Sequence, residues 1–299
     1  MARKSLFALL VALIAVLAFA EVRVLAQTKL SAQEIVDKNA AARGGLPAWR
    51  AVQTMSLAGK MPAGGNRRAT SPIPTPDSGK GKLGAPQRPA EEVQLPFVMD
   101  LKRPNKVRIE IVFNGQTAVQ VYDGKNGWKL RPFLGKSEVE PYTAEEAKAA
   151  QSQTDLDGLL IDSAAKGSKV DLDGIEKVDG RDCYKLKVTL KSGSVLHVWV
   201  DAKTFLDVKA EGQPRRMDGV YHPVEVYYSD YRAVNGLQIP FVLDTRVLPV
   251  RGPQGHGTGP IPTEKTTIEK VDVNPKLDDA VFTKASLEAQ PKAATAPKK

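Results

Sequence analysis

Side chains able to do chemistry are sparse in this chain and poorly spaced for it. There are three histidines, His197, His222 and His256, and one cysteine, Cys183. His197 lies in the apolar run Leu196 to Trp199, His222 precedes Pro223, and His256 sits among glycines. A structural or catalytic zinc ion needs three or four nitrogen, sulfur or carboxylate ligands brought together, and three isolated histidines do not suggest it. A thiol nucleophile needs a basic partner that lowers its pKa. Cys183 instead falls inside the strand-like run Asp182 to Leu190 and reads as a small buried side chain. A lone cysteine also excludes an intrachain disulfide. The motifs G-x-S-x-G, H-E-x-x-H and C-x-x-C are absent, and the Gly-Lys pairs at Gly79 to Lys82 lack the spacing of a phosphate loop. No catalytic residue, metal or cofactor is therefore expected, and the chain reads as a non-enzyme. A carboxylate pair assembled only in space is the arrangement that sequence leaves open.

The supply of ordered apolar side chains is much richer. Val93, Leu95, Phe97, Met99 and Leu101 alternate with Gln94, Pro96, Val98, Asp100 and Lys102, the period of a half-buried strand. Val107, Ile109, Ile111 and Phe113 repeat the pattern after the turn Arg103-Pro-Asn-Lys106. A hairpin with Asp123-Gly124 at its corner follows. Further strand runs lie at 169–178, 183–190, 195–201, 205–211, 224–231, 237–247 and 266–273, with turn chemistry at Asp179-Gly180, Ser192-Gly193 and Asn235-Gly236. About eleven antiparallel strands with few helices predict a strongly curved sheet or barrel.

Helices are few. Ser31 and Glu34 form a capping box before Ile35 and Val36, and Gly44-Gly45 ends that helix. A short turn from Leu46 carries Trp49. Between the two groups of strands, Thr143 caps an alanine-rich helix, and 156–165 reads as a second helical stretch.

The termini and loops set the compartment. Met1 to Lys4 is basic, Leu6 to Ala20 is an apolar run of 15 residues, and small residues follow, which predicts a cleaved secretory signal peptide over residues 1–26. The run is shorter than the roughly 20 residues that span a membrane. Cleavage after Ala26 is preferred to cleavage after Ala20, and a periplasmic location follows. Removal of 1–26 lowers the formal charge from +9 to +7. The remaining excess favours transient contact with anionic membrane surfaces. No nucleic-acid-binding signature accompanies it, so no nucleic-acid partner is expected. Residues 61–89 and 249–262 are rich in Gly and Pro and read as flexible loops, and 285–299 as a disordered basic tail of Ala, Pro and Lys. Residues 27–284 form one domain.

Several stretches carry a family pattern. Ala32 to Lys38, the exit Ala42-Arg-Gly-Gly-Leu46, Trp49 and the strand Met55 to Lys60 resemble the opening of the bacterial outer-membrane lipoprotein-sorting proteins, the LolA/LolB-like group. Tyr227 to Phe241 is similar to that group's paired late strands, and Asp278 to Phe282 to its closing segment. The resemblance implies an incomplete antiparallel β-barrel, a half-barrel, with an N-terminal helix and short helices covering its concave face. It further implies a periplasmic lipid-binding or lipoprotein-carrier protein that holds acyl chains in an apolar cavity without cofactor. The group's single functional arginine has four candidate positions here, Arg43, Arg50, Arg108 and Arg131. The expected cavity lining is Leu95, Phe97, Met99, Ile109, Ile111 and Phe113, followed by Leu186, Val188 and Trp199. A second reading uses the same half-barrel as an envelope sensor or scaffold module that binds a protein, with Tyr221, Tyr227, Tyr228 and Tyr231 as anchors.

Overall fold

The computed structural model describes residues 30–63, 93–132, 136–153, 155–217, 220–250, 261 and 263–290. The expected signal segment, residues 64–89 of the first loop, most of the second loop and residues 291–299 of the tail lie outside the described residues.

Thirteen strands among the described residues make one antiparallel sheet. The first group is β1 (Thr54–Ala63), β2 (Val93–Lys102), β3 (Lys106–Phe113), β4 (Gln116–Tyr122), β5 (Gly127–Arg131) and β6 (Lys136–Pro141). The second is β7 (Lys169–Val178), β8 (Arg181–Thr189), β9 (Val195–Asp201), β10 (Asp207–Met217), β11 (Val220–Val234), β12 (Leu237–Val247) and β13 (Glu264–Val273). Every strand pairs with its sequence neighbours except at one place, and β1 also pairs with β13. The exception is β6 and β7, which are the two edges. The sheet is thus a curved, unclosed barrel whose single break lies between two consecutive strands. The helix α3 (Ala144–Gln153) and a run of turns over 155–167 connect them.

The N-terminal helices are α1 (Ala32–Ala42) and α2 (Leu46–Ala51). The Ser31 hydroxyl accepts from the Glu34 amide and the Glu34 carboxylate accepts from the Ser31 amide, the reciprocal capping box that the sequence predicts. Gly44 ends α1 at φ 111°, and a Cβ there would stand 2.4 Å from the Gly236 carbonyl oxygen, so only glycine lets the helix exit pass the β11–β12 turn. That turn is the Asn235-Gly236 pair, both residues at positive φ as a tight hairpin requires.

Four expectations are corrected. The strands number thirteen rather than about eleven. β6 escaped notice because Lys136–Pro141 is rich in charge and ends on proline, which suits an edge strand and hides its pattern. Met61 to Ala63 belong to β1, paired with Leu95, Gln94 and Val93, and not to the first loop. Residues 156–165 are turns, because Gly158 and Asp162 adopt positive φ that a helix cannot continue through. The expected tail begins with order: after the 3-10 turn Asp279–Phe282, which buries Phe282, residues 285–288 belong to the helix α4 (Lys284–Glu288) and Leu287 is buried.

The sheet has an inner face, which carries α1, α2 and α3, and an outer face. On the inner face two apolar clusters form. One gathers β1, β2, β3, β12 and β13 around Trp49, Val52, Leu156 and Ile161. The other gathers β8, β9 and β10 under Ile35 and Val36 of α1. On the outer face α4 covers Val119, Val121 and Leu130. Arg108 holds it there by donating to the Val281 carbonyl and the Ser286 hydroxyl.

Candidate functional site

The register places the first six expected lining residues together on the inner face. Met99 lies opposite Ile109, and Phe97 opposite Ile111. On the other side of β2, Leu57 of β1 faces Met99, and Met61 faces Leu95. Phe113 continues the β3 stripe and lies opposite Gln116. Ile239, Phe241 and Leu243 of β12 and Ile268 and Val271 of β13 extend the same apolar surface.

Burial is not uniform along these strands. At one end Met55, Leu101, Val107, Tyr122 and Leu237 are fully buried beneath Trp49, Val52, Leu156 and Ile161. Farther from the plug Leu57, Met99 and Ile109 are half-buried, and at the far end so are Met61, Leu95, Ile111, Phe113 and Leu243, with Phe97, Phe241 and Ile268 buried among them. The helices therefore plug one end of the apolar surface and leave the other partly open to water. A partly covered apolar stripe on one concave face is the kind of surface on which apolar ligands are held.

The second group of expected residues divides. Leu186 and Val188 are fully buried with Val198 and Val200 against Ile35 and Val36, so α1 closes this half of the inner face. Trp199 is on the outer face, because it alternates with Val198 and Val200. There it packs with Val178, Cys183, Val208 and Tyr227, donates to Glu176 and lies under the Lys209 ammonium, 3.8 Å from the ring centroid. Cys183 is fully buried beside it, and burial pushes its thiol pKa up, which suits an inert side chain. Trp199 therefore does not join a lining on the inner face.

The plug is held by charged groups that the sequence pattern did not rank. Arg43 is buried at the end of α1, with its guanidinium 4.6 Å from the Trp49 ring centroid. It donates to the Asp157 carbonyl at 2.8 Å and pairs with Asp207 at 3.4 Å. Burial pushes the Asp207 carboxyl up, against the pull of Arg43 and of the Asn39 amide, which donates to it at 2.9 Å. Arg103, in the β2–β3 turn, donates to the carbonyls of Val52 and Trp49 and to the Asp157 carboxylate at 2.6 Å. Lys166 donates to the same carboxylate at 2.7 Å. Of the other candidate arginines, Arg50 forms an exposed bidentate pair with Asp162, Arg108 anchors α4, and Arg131 pairs with Glu140. The set is not legible in the sequence because its two arginines reach Asp157 from 114 and 54 positions away, although Lys166 is only 9 positions from it.

A third feature lies beside the apolar stripe. Lys129 of β5 is buried on the inner face and donates to both carboxylate oxygens of Glu146 on α3. Burial pushes the Glu146 carboxyl up, but Lys129 and the Thr143 amide outweigh it and hold the pKa below the usual range. Tyr142 packs flat against Gly127, where a Cβ would overlap its ring, and thereby brings α3 onto β5. A cleft of about 540 Å³ lies by α4, lined by Gln116, Leu130, Val139 and Leu287 among others.

No family model and no curated protein matches the sequence. Solved structures do. A LolA superfamily protein from Nitrosomonas europaea aligns over 86% of this chain and 99% of its own, at 14% identity and a TM-score of 0.49. A domain from Vibrio parahaemolyticus, named for outer-membrane lipoprotein sorting, aligns over 85% of this chain and 97% of its own at 11% identity, again with a TM-score of 0.49. A DUF1329 family protein from Desulfovibrio piger aligns over 86% and 98% at 18% identity with the same score. The half-barrel architecture itself rests on the strand order and register given above.

Proposed function

We propose that this protein binds the acyl chains of lipids or lipoproteins along β1–β3, β12 and β13 of its inner face, and carries them through the bacterial envelope. The observation that supports this is one continuous apolar surface that α2 and the 155–167 turns plug at one end, while Leu57, Met99, Ile109, Met61, Leu95 and Leu243 beyond the plug are only half-buried. An acyl chain is the ligand whose chemistry suits such a surface. It needs no hydrogen bonds, and each methylene removed from water is worth about 0.8 kcal/mol. The binding residues in this reading are Leu95, Phe97, Met99, Ile109, Ile111 and Phe113, with Leu57, Met61 and Leu243 added by the register. Leu186 and Val188 serve as core beneath α1. The signal segment read from the sequence supports the periplasm as the place of action, and the basic excess supports brief contact with anionic membranes.

Native mass spectrometry with lipid extraction, on protein purified from the envelope, tests the reading. Co-purifying acylated molecules are expected. A clean ligand-free mass that persists after incubation with lipids and lipopeptides would overturn it.

A further inference from the structure

The inner face changes chemistry from strand to strand at right angles to the apolar stripe. Ile109 of β3 lies opposite Gln120 of β4, which in turn lies opposite Lys129 of β5. Two steps along, past Ile111 opposite Ala118, Phe113 of β3 lies opposite Gln116. Arg131 shares the Lys129 face, two residues further along β5. In the Ile109 row, apolar, amide and cationic side chains thus follow one another across three adjacent strands. The strand spacing puts the cations about 10 Å from the β3 stripe. That is the layout of a surface for a molecule with an apolar chain and a compact polar end.

The state of the cations says what kind of polar end. The Lys129 side chain is 8% exposed and fixed in the sheet, whereas that of its partner Glu146 is 38% exposed. Glu146 therefore reaches the ammonium from the water side, on a three-turn helix that crosses the break in the barrel. Arg131 donates to Glu140, yet its Nε is buried with no hydrogen-bond partner. Both cations offer donors only, so the group they accept must be an anion or a strong acceptor. Expelling Glu146 without supplying another negative charge would leave a buried ammonium uncompensated, which is strongly unfavourable.

Resting on the acyl-chain reading above, we propose that Gln120, Lys129 and Arg131 form a headgroup site for an amphiphile with a carboxylate or phosphate end. The headgroup replaces the Glu146 carboxylate on Lys129 while the chain lies over β2 and β3. Glu146 is then an internal stand-in for the ligand, and its displacement frees α3 from the sheet. Neutral amphiphiles lack the charge to make that exchange.

Binding of oleate, of the neutral ester monooleoylglycerol and of inorganic phosphate, measured separately by native mass spectrometry and calorimetry at neutral pH, tests this. Oleate is expected to bind at least tenfold more tightly than the neutral ester. Lys129→Met should bring that ratio below twofold, and Lys129→Arg should preserve it. Glu146→Gln, which keeps the side-chain shape, should tighten oleate binding and speed amide exchange in α3 without ligand. Equal binding of the two amphiphiles, or a preference that survives in Lys129→Met, would overturn the headgroup site and leave acyl-chain binding standing. If Lys129→Met does not fold, unchanged oleate affinity in Glu146→Gln overturns it equally. Phosphate binding as tightly as oleate would make this a free-anion site and end the amphiphile proposal. Failure of both amphiphiles to bind would instead remove the acyl-chain reading itself.

Discussion

Asp157 shows how single charged groups decide whether the apolar surface has a closed end. Its side chain is 3% exposed and accepts from Arg103 and Lys166. Burial pushes its carboxyl up, but the hydrogen bonds of Asp155, Lys166 and Arg103 outweigh burial and hold it below the usual carboxylate range. A carboxyl whose pKa is lower folded than unfolded contributes stability above the unfolded value, and loses it as pH falls through the folded one. Asp157→Asn should therefore lower stability at neutral pH, and the gap to the parent protein should shrink as pH falls below about 4. Denaturant titrations across that range measure it; a gap independent of pH would show that the ion pairs do not hold the plug. None of this was legible in the sequence. Asp157 reads as one acid among 34 acidic residues, and its meaning comes from Arg103, 54 positions away. Leu95, Phe97, Met99, Ile109 and Ile111 were legible, because alternation within one strand is a local signal and fixes the face.

At the scale of elements, legibility follows whether the signal is local. The capping box of α1 and the Asn-Gly and Asp-Gly hairpins need only neighbouring residues, and they occur where the pattern puts them. Trp199 was misplaced because its strand is apolar on both faces: Val198 and Val200 look inward while Trp199 looks outward. Periodicity cannot choose between two buried faces. α4 was missed because five residues in an alanine-rich tail carry no visible period, and its position depends on Arg108, more than 170 positions earlier. If α4 is structural, Leu287→Ala should cost about 2–5 kcal/mol, the range for deleting a fully buried leucine side chain. Chemical denaturation checks this, and a loss under about 1 kcal/mol would mark α4 as a loosely held appendage.

The whole molecule is a ring of strands opened at one joint. Because each strand pairs with its sequence neighbours and β1 with β13, closure would need only β6 to meet β7. The connection between them instead carries α3 and the 155–167 turns, whose Leu156, Ile161 and Ala150 pack on the inner face. A closed barrel of thirteen strands would enclose more space than these side chains fill, so the break and the plug answer the same geometric demand. They also make the two halves unequal. α1 seals β8–β10, while β1–β3, β12 and β13 keep an apolar stripe that runs about 20 Å from Leu95 to Leu101 before it meets the plug. A surface with one blocked end predicts a limit on ligand length. Affinity for a series of saturated fatty acids should rise about fourfold per methylene, the equivalent of 0.8 kcal/mol. It should then level off when the chain reaches Leu101 and Trp49. Met99→Trp, which fills the middle of the stripe, should move the plateau to shorter chains. Leu186→Ala, in the sealed half, should lower stability by about 2–5 kcal/mol and leave the plateau where it was. A plateau that moves with Leu186→Ala and not with Met99→Trp would place the ligand under α1. An affinity indifferent to chain length would mean that the stripe does not hold chains at all.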